Sequence, residues 1–283
     1  MKSIRQPEKS NYLTGHYSHH EMNSPVLRVS DLGYRYNGDW VLKEIAFELR
    51  AGERIAVVGP NGAGKSTLFK LVAGVISPMA GQIDVFGHEP GGHICIAYVP
   101  QRSQVDWNFP VSVAEVVMMG RVSKMGLFQW PSNQDWKAVK ESLEAVKMQH
   151  LAKRQISELS GGQQQRVFLA RALAQEAELV LMDEPFTGLD VNTQEDLFAM
   201  LESLSERKVT VMIAMHDLKL AAERFDRVML LNHSLVGIGK PEAVFEPQKL
   251  AAAYGDHLRF VQTEEGVVAL EDTCCEDGGH QHA

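Results

Sequence analysis

Cysteine is scarce in this sequence, and long apolar runs are missing from it. The 283 residues include 3 cysteines: Cys95 lies in an apolar run, and Cys274 and Cys275 are neighbours near the end. This number and spacing do not suggest a disulfide framework. No apolar run approaches the roughly 18 residues that a membrane-spanning helix needs, and residues 1–24 lack the apolar core of a secretory signal. If the protein works at a membrane, we therefore expect it to act from the cytosolic side through another subunit.

An excess of positive charge is also missing, because 36 acidic side chains outnumber 28 basic ones and the formal net charge is −8. A protein whose main partner is bulk nucleic acid carries a basic surface, so we expect no nucleic-acid partner. Apolar residues make up 45% of the chain and charged residues 23%. These proportions are typical of a globular protein that buries a large core.

The chain divides into three segments by composition. Residues 1–24 are polar and rich in histidine and serine, which predicts a flexible extension. Residues 25–240 alternate apolar strand patterns with helical patterns, and the mainly helical stretch at about 102–158 predicts an inserted helical subdomain. Residues 241–283 are predicted to form a helical segment followed by an acidic tail that carries cysteine and histidine.

Short apolar runs between helical patterns predict the core of the fold. Buried strands that alternate with helices are typical of a mainly parallel sheet with helices on both faces, so we expect an α/β fold. The predicted strands are Arg54–Val58, Ile94–Val99, Leu179–Met182, Val209–Ala214 and Val228–Leu231. The Ser-x-x-Glu spacing at Ser112 and the Ser-x-x-Gln spacing at Ser160 predict capping boxes that begin two helices.

A glycine-rich loop follows the first of these strands and precedes a helical pattern at Leu68, Leu71, Val72 and Val75. The loop matches G-x-x-x-x-G-K-[ST], and its residues are Gly59, Pro60, Asn61, Gly62, Ala63, Gly64, Lys65, Ser66 and Thr67. Backbone N–H groups of such a loop surround phosphate oxygens, the lysine reaches the β- and γ-phosphates, and the serine hydroxyl ligates Mg²⁺. A glycine turn that matches by chance is the alternative, but the strand before and the helix after the loop favour a nucleotide site.

Two carboxylates, Asp183 and Glu184, follow the apolar run that begins at Leu179. A buried strand holds such residues at the carboxyl edge of the sheet, where ligands of open α/β sheets bind. Asp183 is therefore a candidate for holding Mg²⁺ through water, and Glu184 for orienting or deprotonating the attacking water. Acids at a strand end are more often merely solvated, so the glycine-rich loop gives this pair its significance.

The sequence Leu-Ser-Gly-Gly-Gln at Leu159–Gln163 resembles the signature motif of the ABC ATPase family. It stands upstream of Asp183 and Glu184, as it does in that family. Further motifs fall in the family's order, namely an adenine-stacking aromatic at Tyr36, a Q-loop glutamine at Gln101, a D-loop at Gly188-Leu189-Asp190 and a switch histidine at His216. The similarity covers about 26–241, most of the chain.

The resemblance implies a P-loop NTPase core with an antiparallel β subdomain near the N-terminus, and it implies ATP and Mg²⁺ as cofactors. It assigns catalysis to Glu184, His216, Gln101 and Asp190, the Mg²⁺ site to Ser66, Gln101 and Asp183, and the γ-phosphate contact of a second copy to Ser160, Gly161, Gly162 and Gln163. Each ATP of the implied homodimer lies between Lys65 of one chain and Ser160 of its twin. Its hydrolysis separates the two copies and drives an integral membrane permease.

Two of these residues have structural alternatives. Tyr34 and Trp40 lie close to Tyr36 in the sequence and offer the same aromatic face to adenine. His216 precedes Asp217, a residue type that caps helices, so the histidine has a structural alternative as the neighbour of a cap. The order of the motifs favours contact between His216 and the γ-phosphate.

The stretch from Tyr98 to Arg121 is similar to the branch of the family that imports manganese, zinc or iron with an extracytoplasmic metal-binding protein. Within that branch we favour manganese as the cargo. The resemblance implies a peripheral location on the cytoplasmic face of the membrane. The alternatives are a soluble ABC ATPase that acts on nucleic acid or ribosomes, and a metal-responsive subunit that binds ATP without turnover.

Two segments suggest metal binding of their own. The tail offers thiolate and imidazole ligands at Cys274, Cys275, His280 and His282, and the first segment offers His16, His19 and His20. Such groups suit Zn²⁺ and similar ions. Their spacing does not match a standard structural zinc site, and polar tails carry these residues without binding metal. A regulatory metal sensor in the tail is therefore a hypothesis.

Overall fold

The computed structural model describes residues 25–90, 95–125 and 129–255, and the backbone of two further strands at 258–263 and 266–271. The predicted extension at 1–24 lies outside the described residues. The same is true of the proposed ligands in the tail, Cys274, Cys275, His280 and His282. In the part of the chain that the structure describes, no helix combines the length and the apolar character needed to cross a membrane.

A six-stranded sheet forms the centre of the molecule, with the strand order β5-β6-β7-β3-β8-β9. Its strands are β3 (Arg54–Val58), β5 (Ile96–Val99), β6 (Leu179–Asp183), β7 (Thr210–Ala214), β8 (Arg227–Asn232) and β9 (Ser234–Gly239). All neighbours pair in parallel except β9, which runs antiparallel to β8. The carboxyl ends of β3 and β6 therefore lie at one edge of the sheet, as the sequence predicted.

A three-stranded antiparallel sheet with the order β2-β1-β4 packs beside this centre. Its strands are β1 (Leu27–Tyr36), β2 (Asp39–Leu49) and β4 (Ala80–Val85). Asn37 and Gly38 connect β1 to β2 with positive φ angles of 51° and 98°. This two-residue turn suits the twist of a hairpin and favours the Asn-Gly sequence found here.

The helices are α1 (Lys65–Val72), α2 (Val113–Met118), α3 (Asn133–Ala145), α4 (Gly161–Gln175), α5 (Val191–Glu206), α6 (Leu218–Arg224), α7 (Pro241–Val244) and α8 (Pro247–Tyr254). Short 3₁₀ turns lie at Arg102–Gln104, Met119–Arg121, Gln149–Leu151 and Ile156–Glu158. Capping boxes at Ser112 and Ser160 begin α2 and α4 as predicted. Helix α1 ends before Val75, because Gly74 takes a positive φ of 69°.

Alternation along β3 divides the core into two layers. Ile55 and Val57 pack with α1 and the antiparallel sheet, whereas Ala56 and Val58 pack with α4, α5 and the helical segment around α2 and α3. All four are fully buried, which explains why the strand is apolar at every position after Arg54. The fold is an α/β P-loop NTPase fold with an antiparallel sheet and added helices, which confirms the predicted fold class.

Arg121 ties the helices of the inserted segment together. Its Nε donates to Asp135 at the start of α3 at 3.1 Å, and its Nη1 donates to the Ala174 carbonyl at the end of α4 at 2.9 Å and to Glu176 at 2.7 Å. The guanidinium is buried, so these charge-assisted bonds replace the water it has lost. Helices α2, α3 and α4 therefore form one firmly connected group.

Helices α7 and α8 agree with the helical segments predicted after Pro241. Beyond them, β10 (Leu258–Thr263) and β11 (Gly266–Glu271) form an antiparallel hairpin in register from Leu258 and Glu271 to Thr263 and Gly266. The sequence prediction placed a tail here and missed both strands. A hairpin this short can be identified in a sequence only from its local residue pattern.

Candidate nucleotide-binding site

The glycine-rich loop connects the end of β3 to the start of α1, and two of its three glycines, Gly59 and Gly64, have no room for a side chain. A Cβ atom on Gly59 would collide with the Leu231 carbonyl of β8. At Gly64 a Cβ atom would lie 2.6 Å from a Leu42 methyl group, and its φ of 97° favours glycine as well. The loop is therefore held tightly between the central sheet and β2.

Lys65 begins α1 and folds back across this loop. Its Nζ donates to the Gly59 carbonyl at 2.5 Å and to the Pro60 carbonyl at 3.0 Å. The side chain is buried, so its charge is concentrated at the concave side of the loop. A cation beside backbone N–H groups at a helix start is an arrangement that binds phosphate.

Asp183 ends β6, and its carboxylate is the most buried acidic group of the site, with 1% of the residue exposed. Its Oδ2 has no hydrogen-bond partner among the described residues. Burial raises the pKa of Asp183, the charge of Glu184 raises it further, and the Ser66 hydroxyl and the Lys65 charge act in the opposite direction. A buried carboxylate oxygen without a partner, beside a hydroxyl group, fits Mg²⁺, which prefers oxygen ligands.

Glu184 follows in the left-handed conformation with φ of 50°, and its amide donates to the Ala214 carbonyl at 3.0 Å. Its carboxylate accepts a hydrogen bond from Gln101 Nε2 at 2.8 Å. The two residues are 83 positions apart in the sequence, so the fold brings them together. Backbone strain of this kind concentrates at functional sites.

A cleft of about 190 Å³ opens beside Glu184. Its lining includes Glu184, Phe186, Thr187, Gly188, Gln194, Met215, His216, Asp217 and Leu220. The structure thus places the predicted acid and the predicted switch histidine on one cleft. Asp217 accepts from the Leu220 amide at 2.9 Å and caps α6. The helix cap is therefore Asp217 alone, and its neighbour His216 remains exposed.

Asp190 caps α5 at the end of the predicted D-loop. It accepts from the Thr193 amide at 3.0 Å and from the Thr193 hydroxyl at 2.6 Å. These hydrogen bonds lower the pKa of Asp190. In a single chain Asp190 therefore serves the helix start, and its predicted catalytic role stays a prediction.

The aromatic side chains predicted to stack on adenine lie around the β1–β2 turn. Tyr36 is 47% exposed, and its ring meets the Tyr34 ring edge-on with centroids 5.0 Å apart. Trp40 carries the Arg35 guanidinium over its ring at 3.9 Å and packs against Gly33. Because the Trp40 ring is already occupied, Tyr36 remains the better candidate for a base.

The signature turn begins α4. Ser160 Oγ accepts from the Gln163 amide at 3.4 Å, and Gln163 Oε1 accepts from the Ser160 amide at 3.0 Å. Cβ atoms on Gly161 and Gly162 would collide with Arg102 and Thr193, respectively. The turn therefore lies against the Gln101 loop and α5. Its predicted contact with a phosphate loop concerns two assembled chains and stays a prediction.

His233, which was not predicted from the sequence, helps to fix the phosphate loop. Its amide donates to the Ala63 carbonyl at 3.0 Å, its carbonyl accepts from the Lys43 amide at 2.7 Å, and its ring Nδ1 lies 3.2 Å from the Val41 carbonyl. No motif marks this residue. Asn232-His233-Ser234 indicates only a turn between two strands, and its contacts come from tertiary packing.

A P-loop after β3, an acidic pair at the carboxyl end of β6 and a signature helix define the class as ABC-type ATP-binding domains. The ABC transporter family matches residues 42–187, which include the phosphate loop, the signature and the acidic pair. The chain belongs to this family, and it carries the family's ATP-binding domain.

Two relatives that are similar over most of their length are named as transport ATP-binding proteins. The manganese transport system ATP-binding protein MntB of Bacillus subtilis is 43% identical over 80% of this chain and 91% of its own. The zinc transport system ATP-binding protein TroB of Treponema pallidum is 42% identical over 82% of this chain and 88% of its own. A solved metal-chelate type ABC transporter in an inward-facing conformation has a TM-score of 0.75 at 30% identity, covering 88% of this chain and 99% of that one.

Proposed function

We propose that this chain is the ATP-hydrolysing subunit of an ABC transporter that imports a divalent metal ion, with manganese favoured over zinc and iron. The observation that carries the proposal is the hydrogen bond between Gln101 and Glu184 beside the buried carboxylate of Asp183. It assembles a hydrolytic site in a chain whose relatives include the manganese and zinc transport proteins named above.

The phosphate loop binds the ATP phosphates through its backbone N–H groups and Lys65. Asp183, Ser66 and Gln101 are the residues that would hold Mg²⁺, which would supply charge neutralisation for the phosphates. Tyr36 offers its exposed ring to the adenine base. Thr67 is the last residue of the phosphate-loop motif. Burial of Lys65 and Asp183 strengthens these electrostatic contacts, because the local dielectric constant is lower than in water.

Glu184 orients a water molecule and accepts a proton from it as the water oxygen forms a bond to the γ-phosphorus. The bond from that phosphorus to the β,γ-bridging oxygen breaks, and ADP and inorganic phosphate leave. Gln101 holds the Glu184 carboxylate in place through its amide, and His216 on the same cleft donates a hydrogen bond to the γ-phosphate. Positioning and charge neutralisation carry most of the catalysis in phosphoryl transfer.

The signature turn has a role only in a homodimer. Ser160 is exposed at the start of a 15-residue helix, where backbone N–H groups attract anions. Ser160–Gln163 of one copy binds the γ-phosphate held by the loop of the other, and Asp190 lies at the same face. Exposed Val191 beside Asp190 adds apolar surface for that contact.

The inserted helical segment carries the surface proposed for the permease. A cleft of about 570 Å³ lies between α2, α3 and the 3₁₀ turn at Gln149–Leu151, and its lining is mainly apolar but includes Lys140, Lys153 and Glu115. Trp136 on α3 lines it and is 47% exposed. Apolar patches on a soluble domain mark interaction sites. The permease holds the ATPase at the cytoplasmic face, and a metal-binding protein outside the membrane delivers the cargo.

Replacing Trp136 by glutamate is expected to weaken assembly with the permease by at least about tenfold, because a charge replaces an aromatic anchor that the permease would cover. ATP binding by the isolated subunit should stay unchanged. Co-purification with the permease and ATP titration measure the two effects. Trp130→Glu is the matched control, since Trp130 is 91% exposed and does not line the cleft. Equal assembly of both variants with the permease would contradict this docking site.

The cargo is tested by growth of a strain that lacks this chain under separate manganese, zinc and iron limitation. We expect the largest defect under manganese limitation and rescue by the intact chain. Normal growth under all three conditions would contradict metal import. Recovery of ribosomes rather than a polytopic membrane protein with the tagged chain would point to the soluble ABC class. An assembled complex that binds ATP but releases no phosphate would point to a regulatory subunit.

A further inference from the structure

Arg102 follows Gln101 directly and contacts the start of the signature helix. Its Nε donates to Gln164 Oε1 at 3.0 Å. Its guanidinium also lies so close to α4 that a Cβ atom on Gly161 would be 2.9 Å from Nη1 and 3.2 Å from Cζ. Arg102 therefore contacts α4 both at its first residue and one turn later.

Each end of this contact is fixed to its surroundings. Gln164 is buried, and its Nε2 donates to the Ile156 carbonyl at 3.3 Å. The Arg102 carbonyl accepts from Trp107 Nε1 at 2.8 Å, and the Trp107 ring meets the Phe168 ring of α4 edge-on at 5.4 Å. Movement of the Gln101 loop and movement of α4 are therefore mechanically connected.

Arg171 provides a second connection between the same two elements. Its Nη2 donates to the Tyr98 carbonyl at the end of β5 at 2.9 Å, just before the Gln101 loop. The guanidinium also lies 4.8 Å from the Phe168 ring centroid. Arg171 of α4 binds the end of the strand, whereas Arg102 lies in the loop itself and binds Gln164 of α4. A shift of Gln101 therefore acts on α4 through Arg102.

The two adjacent residues of the loop point to different ATP sites. Gln101 bonds to Glu184, which serves the ATP held by its own chain. Arg102 supports Gly161 and Gln164 next to Ser160, which in the homodimer proposed above serves the ATP of the other chain. We propose that Arg102 is a positioning residue that couples the two ATP sites of the dimer, so that nucleotide at one site prepares the signature turn for the other.

This inference rests on the proposed function, because it requires two copies that share their ATP sites. Positive coupling between two sites gives a Hill coefficient above 1 and up to about 2, and it typically changes affinity by roughly 5- to 150-fold. Removing the guanidinium leaves Lys65 and Asp183 in place. Each site should then still bind ATP, but independently of the other.

The test measures the initial rate of phosphate release against ATP concentration for the intact chain assembled with its permease. We expect a sigmoidal curve for the unaltered protein and a Hill coefficient of about 1 for Arg102→Ala. ATP binding to the isolated subunit and its melting temperature should be unchanged. Arg102→Lys keeps the charge but lacks the planar fork, so we expect it to resemble Arg102→Ala. Arg154→Ala is the matched control, because Arg154 is an exposed arginine whose ion pair is with Glu158.

A Hill coefficient in Arg102→Ala equal to that of the unaltered protein would overturn the inference. So would a coefficient of 1 in the unaltered protein. In either case ATP-dependent dimerisation of Glu184→Gln shows separately whether the proposed function holds. If that variant stays monomeric with ATP, the shared-site dimer and the inference both fail.

Discussion

Replacing Glu184 by glutamine is expected to lower ATP hydrolysis by about 10³-fold, while ATP affinity changes little. A positioned general base contributes roughly 10²- to 10⁴-fold to a rate, and an amide cannot accept the proton of the attacking water. Glutamine keeps a side-chain oxygen that accepts from Gln101 Nε2, so the hydrogen bond of 2.8 Å survives the change. The substitution therefore removes the charge and the base without removing the contact that positions the side chain. Phosphate release and ATP titration measure the two quantities.

The same variant should accumulate as a dimer when ATP is present. Hydrolysis removes the contact between the γ-phosphate and the signature turn, so a chain that binds ATP without cleaving it remains in the closed state. Size-exclusion chromatography with and without ATP measures this shift. Glu223→Gln is the matched control, because Glu223 is exposed and pairs only weakly with Lys219 at 3.9 Å. Hydrolysis by Glu184→Gln at the rate of the unaltered protein would show that Glu184 is not the base.

Most of the central sheet was predictable because its strands are short apolar runs. Arg54–Val58 has the predicted bounds, and the strand that ends at Asp183 begins at the predicted Leu179. Capping boxes located the starts of α2 and α4, because their side-chain spacing is local. The length of α1 was less certain from sequence. Val75 fits the helical period, but Gly74 ends the helix first.

The parts that sequence could not supply depend on tertiary contacts. Local patterns indicate that Gln101 and Glu184 each end a strand or begin a loop. They do not predict the hydrogen bond between the two side chains. Arg102 has no motif of its own, although it supports the signature turn. The bond from the His233 amide to Ala63 is likewise made by a residue outside every motif. The motifs therefore predict which elements form the site, and packing decides how they are joined.

Replacing Lys65 by alanine is expected to weaken ATP binding by about 100-fold. Hydrogen bonds from a charged group contribute roughly 1.5–3 kcal/mol each, and 1.4 kcal/mol corresponds to about tenfold in affinity. Lys65 is the cation at the concave side of the loop, and its Nζ already lies 2.5 Å from the Gly59 carbonyl. Isothermal titration with ATP measures the change. The loss should be smaller for ADP, which lacks the γ-phosphate that Lys65 reaches.

Two further variants separate the charge of Lys65 from its packing. Lys65→Met keeps the buried apolar stem and removes only the ammonium group, so we expect it to lose nearly as much ATP affinity as Lys65→Ala while folding as well as the unaltered chain. Lys137→Ala removes an exposed lysine from α3, whose partner is Glu141 at 3.7 Å, and should leave affinity within about threefold. Unchanged ATP affinity in both Lys65 variants would mean that the phosphates do not bind at this loop. The roles assigned to Ser66, Asp183 and Glu184 would then no longer be supported, because each of them depends on a γ-phosphate placed beside Lys65.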